Sequence, residues 1–166
     1  RMGANVTCHM GETAWEPRGT IVIEAASLRG IALGPSEIPG LIDELPILMV
    51  AAACADGTTR MHGLAELRVK ETDRVQSMVT GLVALGARVR LVGVDGVEIT
   101  GGRLHGAAVE SAGDHRPAMR LAVAGLLAQG PPHLAGAECV TKTFPAFFDQ
   151  LRLLAGQTTV TVDLRR

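Results

Sequence analysis

The hydrophobic pattern cuts the chain into short blocks of two periods. Over residues 41–55 almost every position is apolar, which predicts a helix buried on all sides. Residues 58–63 read as a strand. Over 71–85, Val75, Met78, Val79, Leu82 and Val83 form one stripe and Gly86 follows as a C-terminal stop, the pattern of an amphipathic helix. Strands over 88–92 and 97–100, turned by Gly93 to Gly96, give a hairpin signal. The order then recurs: a helix over 114–127, a strand over 133–137 and a helix over 144–154. A last alternating stretch over 158–164 puts Thr158, Val160, Val162 and Leu164 on one face.

The recurrence is visible in the residues themselves. Ile21-Val22-Ile23, then Leu28 and Gly30, match Val97-Glu98-Ile99, then Leu104 and Gly106, at an offset of 76. Asp43-Glu44-Leu45-Pro46 matches Asp114-His115-Arg116-Pro117 at an offset of 71. Met2-Gly3-Ala4-x-Val6 matches Leu85-Gly86-Ala87-x-Val89 at an offset of 83. Three matches in one order imply a tandem supersecondary unit of roughly 70–80 residues. Buried helices alternating with half-buried strands imply α/β layers in one domain, with Pro35, Pro39 and Gly40 marking a loop rather than a boundary. The start at Arg1, followed by what reads as a helix end running into a strand, suggests a piece of a longer polypeptide.

Composition narrows the function. The 166 residues are 47% hydrophobic and 20% charged, enough to bury a sizeable core. A net charge of -1 excludes the broad basic footprint of a nucleic-acid binder, and 2% aromatics are too few for a stacking platform. No apolar stretch is long enough for a membrane span and no signal peptide opens the chain, so the expectation is a cytoplasmic protein with no membrane partner. Cys8, Cys54 and Cys139 lack a C-x-x-C spacing and read as reduced and mostly buried. Cys8-His9 has no second ligand pair, so no metal site is expected. Of the 16 basic residues only Lys70 and Lys142 are lysine, which singles out two positions where a compact ammonium replaces the planar guanidinium fork.

Charged residues gather at the expected helix starts: near Asp43, over 68–74, over 113–116 and over 141–145. Asp114 and Thr143 are N-cap candidates, and Pro117 and Pro145 suit a first turn. Helix N-termini expose unpaired N–H groups and a partial positive charge, so they bind anions. Stacked in register, these starts converge on an anion pocket holding at least Lys70, Arg74, Arg116 and Lys142, with Lys70 and Arg74 four apart on one helix face. Glu71 among these cations reads equally as an ion-pair partner or as a proton donor fixed by them. Asp43 reads either as a cap or as a functional group, Glu44 as a surface partner, and His115 as a structural histidine rather than a base. His9, His62, His105 and His133 read as ordinary strand or surface residues. Gly101-Gly102 is a turn, since no Lys-Ser/Thr follows.

Taken together, four segments resemble the 5-enolpyruvylshikimate-3-phosphate synthase family. They are Asp43-Glu44-Leu45-Pro46-Ile47-Leu48, Glu66-Leu67-Arg68-Val69-Lys70-Glu71-Thr72-Asp73-Arg74, Asp114-His115-Arg116-x-Ala118-Met119 and Lys142-Thr143-Phe144-Pro145-x-Phe147-Phe148. The resemblance covers residues 1–156, corresponding to a portion of the family's C-terminal domain, and leaves 157–166 as a strand-like tail. It implies an α/β (α+β) inside-out barrel domain of repeated βαβαββ-like units, with helices inside and sheets outside. It also implies transfer of the enolpyruvyl group of phosphoenolpyruvate to the 5-hydroxyl of shikimate 3-phosphate, with release of phosphate. That is a step of the shikimate pathway toward chorismate and aromatic amino acids, and it uses no metal or organic cofactor. By the same resemblance Asp43 and Glu71 are catalytic, Asp43 as a proton acceptor that also touches shikimate 3-phosphate and Glu71 in proton transfer. Lys70 binds shikimate 3-phosphate; Arg74, Arg116 and Lys142 hold phosphoenolpyruvate; Asp114 and His115 shape the site of Arg116. The chemistry suits those types, because a vinyl carbon is protonated by an acid held close to it and nearby cations stabilise the anionic transition state.

The chain departs from the family at Pro117, where Met is usual, and at Glu66, where some members carry an Asn that touches shikimate 3-phosphate. A first-turn proline is tolerated. The resemblance also implies an N-terminal domain, absent here, that closes over the site, so the chain alone is expected to bind weakly and turn over little. Two other readings stay open: a relative acting on a UDP-sugar, and a non-catalytic phosphate-binding module on the same fold.

Overall fold

One order of elements occurs twice: two hairpin strands, a short strand, a helix, a strand and a second helix. The computed structural model describes residues 1–11, 15–70 and 72–156. The first pass comprises β1 (Asn5–Met10), β2 (Gly19–Glu24), β3 (Ala32–Leu33), α1 (Leu45–Cys54), β4 (Thr58–His62) and α2 (Arg74–Ala84). The second comprises β5 (Arg88–Val92), β6 (Gly96–Thr100), β7 (Ala108–Glu110), α3 (His115–Leu126), β8 (His133–Ala135) and α4 (Phe147–Ala155). In each pass the first two strands pair antiparallel, and the next two pair parallel across a helical crossover. β4 also pairs antiparallel with β6, giving a four-stranded sheet in the order β3-β4-β6-β5 that ties the two units together.

The repeat extends to individual hydrogen bonds. Gly30 N–H donates to the Asp56 carbonyl at 2.7 Å and Asp56 N–H to that of Leu28 at 2.8 Å. In the second unit Gly106 N–H donates to the Gln129 carbonyl at 2.9 Å and Gln129 N–H to that of Leu104 at 2.9 Å. The matched glycines therefore mark where each parallel pairing begins, and the two segments of the chain approach closely there. A Cβ on Gly30 would lie 2.4 Å from the Thr58 carbonyl oxygen, and one on Gly106 would lie 2.6 Å from that of Pro131. Because the obstacle is backbone, Gly30→Ala is expected to cost about 1–3 kcal/mol. Urea unfolding checks this: the midpoint should drop with the slope unchanged, and a wild-type midpoint would mean the pairing yields at no cost.

The helices lie inside. α1, α2 and α3 pack on one another, α1 also covers β6 and α2 covers β5. Leu45, Met49, Val75, Met78, Leu82 and Leu121 meet Met61, Val97 and Ile99 of the sheet in one core. The outer face of the sheet is charged: in register across three strands, Glu98 accepts from Arg60 Nε at 2.8 Å and from Arg90 Nη2 at 2.5 Å. α4 is the exception among the helices. It buries no residue fully, and only Phe147 and Phe148 lean on Ala118, Cys139 and Val140.

Several element boundaries differ from the sequence pattern. The apolar run over 41–55 divides into a 3₁₀ turn, Ile38–Leu41, and α1, whose first turn accepts Pro46. Asp43 falls before α1 and does not cap it; the N-cap position is Glu44, which makes no side-chain cap bond. α2 begins at Arg74 rather than near 71, because the Asp73 carboxylate takes the Gln76 N–H at 2.8 Å and so sets the first turn. Lys70 consequently ends the 3₁₀ turn Ala65–Val69 and shares no helix face with Arg74. The C-terminus of α2 follows expectation: Gly86, at φ +88°, donates to Val83 and Ala87 donates to Leu82, both at 2.9 Å. α4 starts at Phe147 with Ala146 at the N-cap position, so Thr143 is not its N-cap and instead takes the C-cap position of the 3₁₀ turn Ala137–Lys142. The residue before a proline is disfavoured from helical geometry, which postpones the start beyond Pro145. The strand expected over 158–164 lies outside the described residues.

The cysteines correct another expectation: all three are free, but Cys8 and Cys54 are exposed and only Cys139 is buried. Cys8 sits on the β1–β2 hairpin, which buries nothing. Val6, Cys8, Met10, Ile21 and Ile23 share one bare face there, whereas Val97 and Ile99 of the equivalent strand in the second unit are buried. Among the described residues no helix is long and apolar enough to cross a membrane.

Candidate functional site

The starts of α1, α2 and α3 meet at one carboxylate-and-guanidinium cluster. Asp114 caps α3: its Oδ1 accepts the Arg116 N–H at 2.8 Å. Its Oδ2 accepts from Arg74 Nε at 3.0 Å and from the Thr72 hydroxyl at 3.0 Å, so it links α3 to the start of α2. The Asp114 side chain is 1% exposed and that of Arg74 is 4% exposed. Burial pushes the Asp114 carboxyl pKa up, but the Arg116 N–H, the Arg74 guanidinium and the Thr72 hydroxyl outweigh it and the net direction is down. His115 stands beside it, Nδ1 3.7 Å from Asp114 Oδ1.

Asp43 is the exposed partner. Its side chain is 48% exposed, and Oδ1 lies 2.5 Å from Arg116 Nη1 and 3.9 Å from Arg74 Nη1. The hydrogen bond from Arg116 holds its carboxyl below the usual aspartate value, with the charges of Arg116, Arg74 and Lys70 acting the same way. Lys70 is itself hydrogen-bonded to Glu66. Arg120, one turn beyond Arg116 on α3, reaches the Asp43 main-chain carbonyl with Nη2 at 3.3 Å. The cluster thus offers an ionised, accessible carboxylate surrounded by guanidinium groups and by the positive ends of α2 and α3. Such a surround can hold a carboxylate or phosphate while Asp43 takes a proton.

The structure brings Asp43, Lys70, Arg74, Asp114, His115 and Arg116 together, as the motif spacing required. It does not tie Lys142 to them. Lys142 ends the 3₁₀ turn Ala137–Lys142, is exposed and makes no ion pair among the described residues, although that turn packs on α3. The proline that delays α4 also removes Lys142 from a helix N-terminus. Glu71 lies outside the described residues. Two contributors escaped the sequence reading: Thr72, inside a quoted motif but given no role, and Arg120. The i, i+4 spacing of Arg120 from Arg116 in an otherwise Ala- and Leu-rich helix was the available signal. Among the described residues no group of His, Cys, Asp or Glu could hold a metal ion.

The sequence model of the EPSP synthase (3-phosphoshikimate 1-carboxyvinyltransferase) family matches residues 1–151. The chain belongs to this family. The 3-phosphoshikimate 1-carboxyvinyltransferase of Salinibacter ruber is 48% identical over 153 residues, which is 90% of this chain and 35% of that protein. The one from Roseiflexus castenholzii is 51% identical over 138 residues, 82% of this chain and 32% of that protein. The solved EPSP synthase of Acinetobacter baumannii superposes with a TM-score of 0.84 at 40% identity, covering 93% of this chain and 37% of that one. The EPSP synthase fold therefore extends over nearly the whole chain, and its buried helices and outward sheets are those described above. The chain spans about a third of the length of the curated relatives it matches.

Proposed function

We propose that this chain is a C-terminal domain portion, over residues 1–156, of an enzyme that transfers the enolpyruvyl group of phosphoenolpyruvate to the 5-hydroxyl of shikimate 3-phosphate. One observation carries the reading: an exposed carboxylate, Asp43, is held by Arg116 beside the buried Arg74–Asp114 pair, where the starts of α2 and α3 meet. In the addition step the 5-hydroxyl oxygen bonds to C2 of phosphoenolpyruvate and gives its proton to Asp43, while C3 gains a proton. In the elimination step the C2–phosphate bond breaks, phosphate leaves and C3 gives up a proton. Glu71 acts in the proton transfers at C3. Arg74, Arg116 and Lys142 hold phosphoenolpyruvate, Lys70 holds shikimate 3-phosphate, and Asp114 with His115 keeps Arg116 aimed. A planar fork suits the carboxylate and phosphate groups, and a lysine serves as a point charge.

The remaining two thirds of the relatives' length supplies the opposing domain that closes over the substrates, in a soluble, cytoplasmic enzyme. The test is a chimera in which residues 1–151 replace the matching third of the Salinibacter ruber relative. The chimera should turn over phosphoenolpyruvate and shikimate 3-phosphate, and the isolated chain should show next to no turnover. A folded but inert chimera would overturn the assignment, and near-normal turnover by the chain alone would overturn the need for an opposing domain.

A further inference from the structure

We propose that Arg120 is a positioning residue: from α3 it bridges the main-chain carbonyls of Asp43 and Arg116, and so holds Asp43 where Arg116 grips its carboxylate. The two arginines stand one turn apart on α3 and act on the same residue from two sides. Arg116 Nη1 takes the carboxylate at 2.5 Å, while Arg120 Nη2 takes the backbone carbonyl of Asp43 at 3.3 Å and Nη1 takes that of Arg116 at 3.3 Å. A residue gripped at both carbonyl and carboxylate has little freedom left to swing.

The segment that Arg120 holds is a turn closed by one backbone bond, Glu44 N–H to the Leu41 carbonyl at 2.9 Å. Asp43 lies between the 3₁₀ turn that ends at Leu41 and α1, which begins at Leu45 without a side-chain cap. That turn bond leaves the Asp43 carbonyl to accept from Arg120 on α3.

The setting of Arg120 is otherwise unfavourable to a cation. Its neighbours Ile47, Met119, Val123, Phe144 and Phe147 line an apolar cleft of about 280 Å³. Among the described residues it forms no ion pair with a carboxylate, and burial and the charges of Arg116 and Arg74 work against its own charge, with Asp43 and Asp114 in its favour. A leucine or methionine would satisfy those walls without desolvating a charge. The planar fork gains two carbonyl acceptors at once, which one ammonium does not span in the same geometry.

The importance of this arrangement for turnover rests on the proton-acceptor role proposed for Asp43; the arrangement itself does not. It is tested on the 166-residue chain without substrate, by following the Asp43 carboxyl carbon by NMR as pH is lowered, in wild type, Arg120→Met and Arg120→Lys. The groups that face Asp43 in this titration are Arg116 and Arg120 from α3, Arg74 from α2 and Lys70 ahead of it, with Asp114 and His115 behind. In the wild type Asp43 should titrate below the ordinary aspartate range, and in both variants it should move up toward that range. Arg120→Lys keeps the charge and the apolar stem, so it also guards against a Met variant that fails to fold. If Asp43 titrates in Arg120→Lys as in wild type, Arg120 acts through charge alone and the bridge is refuted. A lower melting temperature with an unmoved titration in both variants would also refute it, leaving Arg120 as packing. An inert chimera would leave this titration untouched, so the two readings fail separately.

Discussion

Asp114→Ala is expected to destabilise the chain by about 3–5 kcal/mol, the range for breaking a buried ion pair by removing one member. Three bonds meet on this one carboxylate: the α3 N-cap, the Thr72 hydroxyl and Arg74 Nε. Losing the cap alone costs about 1 kcal/mol. The larger part comes from the Arg74 guanidinium, only 4% exposed, from which the substitution removes a partner at 3.0 Å. Urea unfolding measures the loss, and a cost below about 1 kcal/mol would mean that water or neighbouring groups replace the carboxylate readily. Adding Arg74→Met should recover part of the loss, since the buried guanidinium is then removed together with the carboxylate it bonded at 3.0 Å. The pH dependence follows from the direction of the Asp114 shift. Its carboxyl titrates below the ordinary aspartate value in the folded chain, so its stabilising contribution is fully present above that ordinary value. That contribution disappears as pH falls through the lower folded value. Wild type should therefore lose stability faster than Asp114→Ala as pH drops below about 4.

Much of the fold was legible because its signals are local or periodic. The β5–β6 hairpin follows from alternation around Gly93 to Gly96, and the end of α2 from a glycine in the left-handed region. The tandem unit was visible through Gly30 and Gly106, which sit where backbone meets backbone and admit no side chain. Boundaries inside apolar runs were not legible, because Leu41 and Ile42 look alike in a 3₁₀ turn, a connection or a helix. The start of α2 was misplaced although Asp73 with Gln76 three residues on is an N-cap signature; the hydrophobic stripe drew the boundary outward. Within the site, the motifs named the residues but not their bonds. The Arg74–Asp114 pair joins positions 40 residues apart, and only packing of α2 against α3 determines it. Arg120 fell outside the motif roles, because the cleft that partly covers it is built from three separate segments.

Asp43→Asn in the chimera is expected to lower turnover by about 10²–10⁴-fold, the range for removing a positioned general base. Asparagine keeps the shape and still accepts from Arg116, so what it removes is the capacity to take a proton. The ion pair with Arg116 bears on how that capacity is used. While Arg116 holds the carboxylate, Asp43 stays ionised through neutral pH but is a weak base. On the proposed reading, a substrate carboxylate or phosphate that engages Arg116 would loosen this pair, and the basicity of Asp43 would then recover as the hydroxyl arrives. That reading couples anion binding and proton acceptance through a single guanidinium. Two measurements follow. Inorganic phosphate should bind the Asp43→Asn chain at least as tightly as wild type, because a competing anion has gone. In the chimera, the acid limb of the kcat profile should lie at higher pH than that of kcat/KM, since the first reports the enzyme with Arg116 engaged by substrate and the second the free enzyme. Turnover within tenfold of the parent would remove Asp43 from the chemistry. Phosphate binding lost in step with turnover would mean that the carboxylate organises the anion site instead of competing for it.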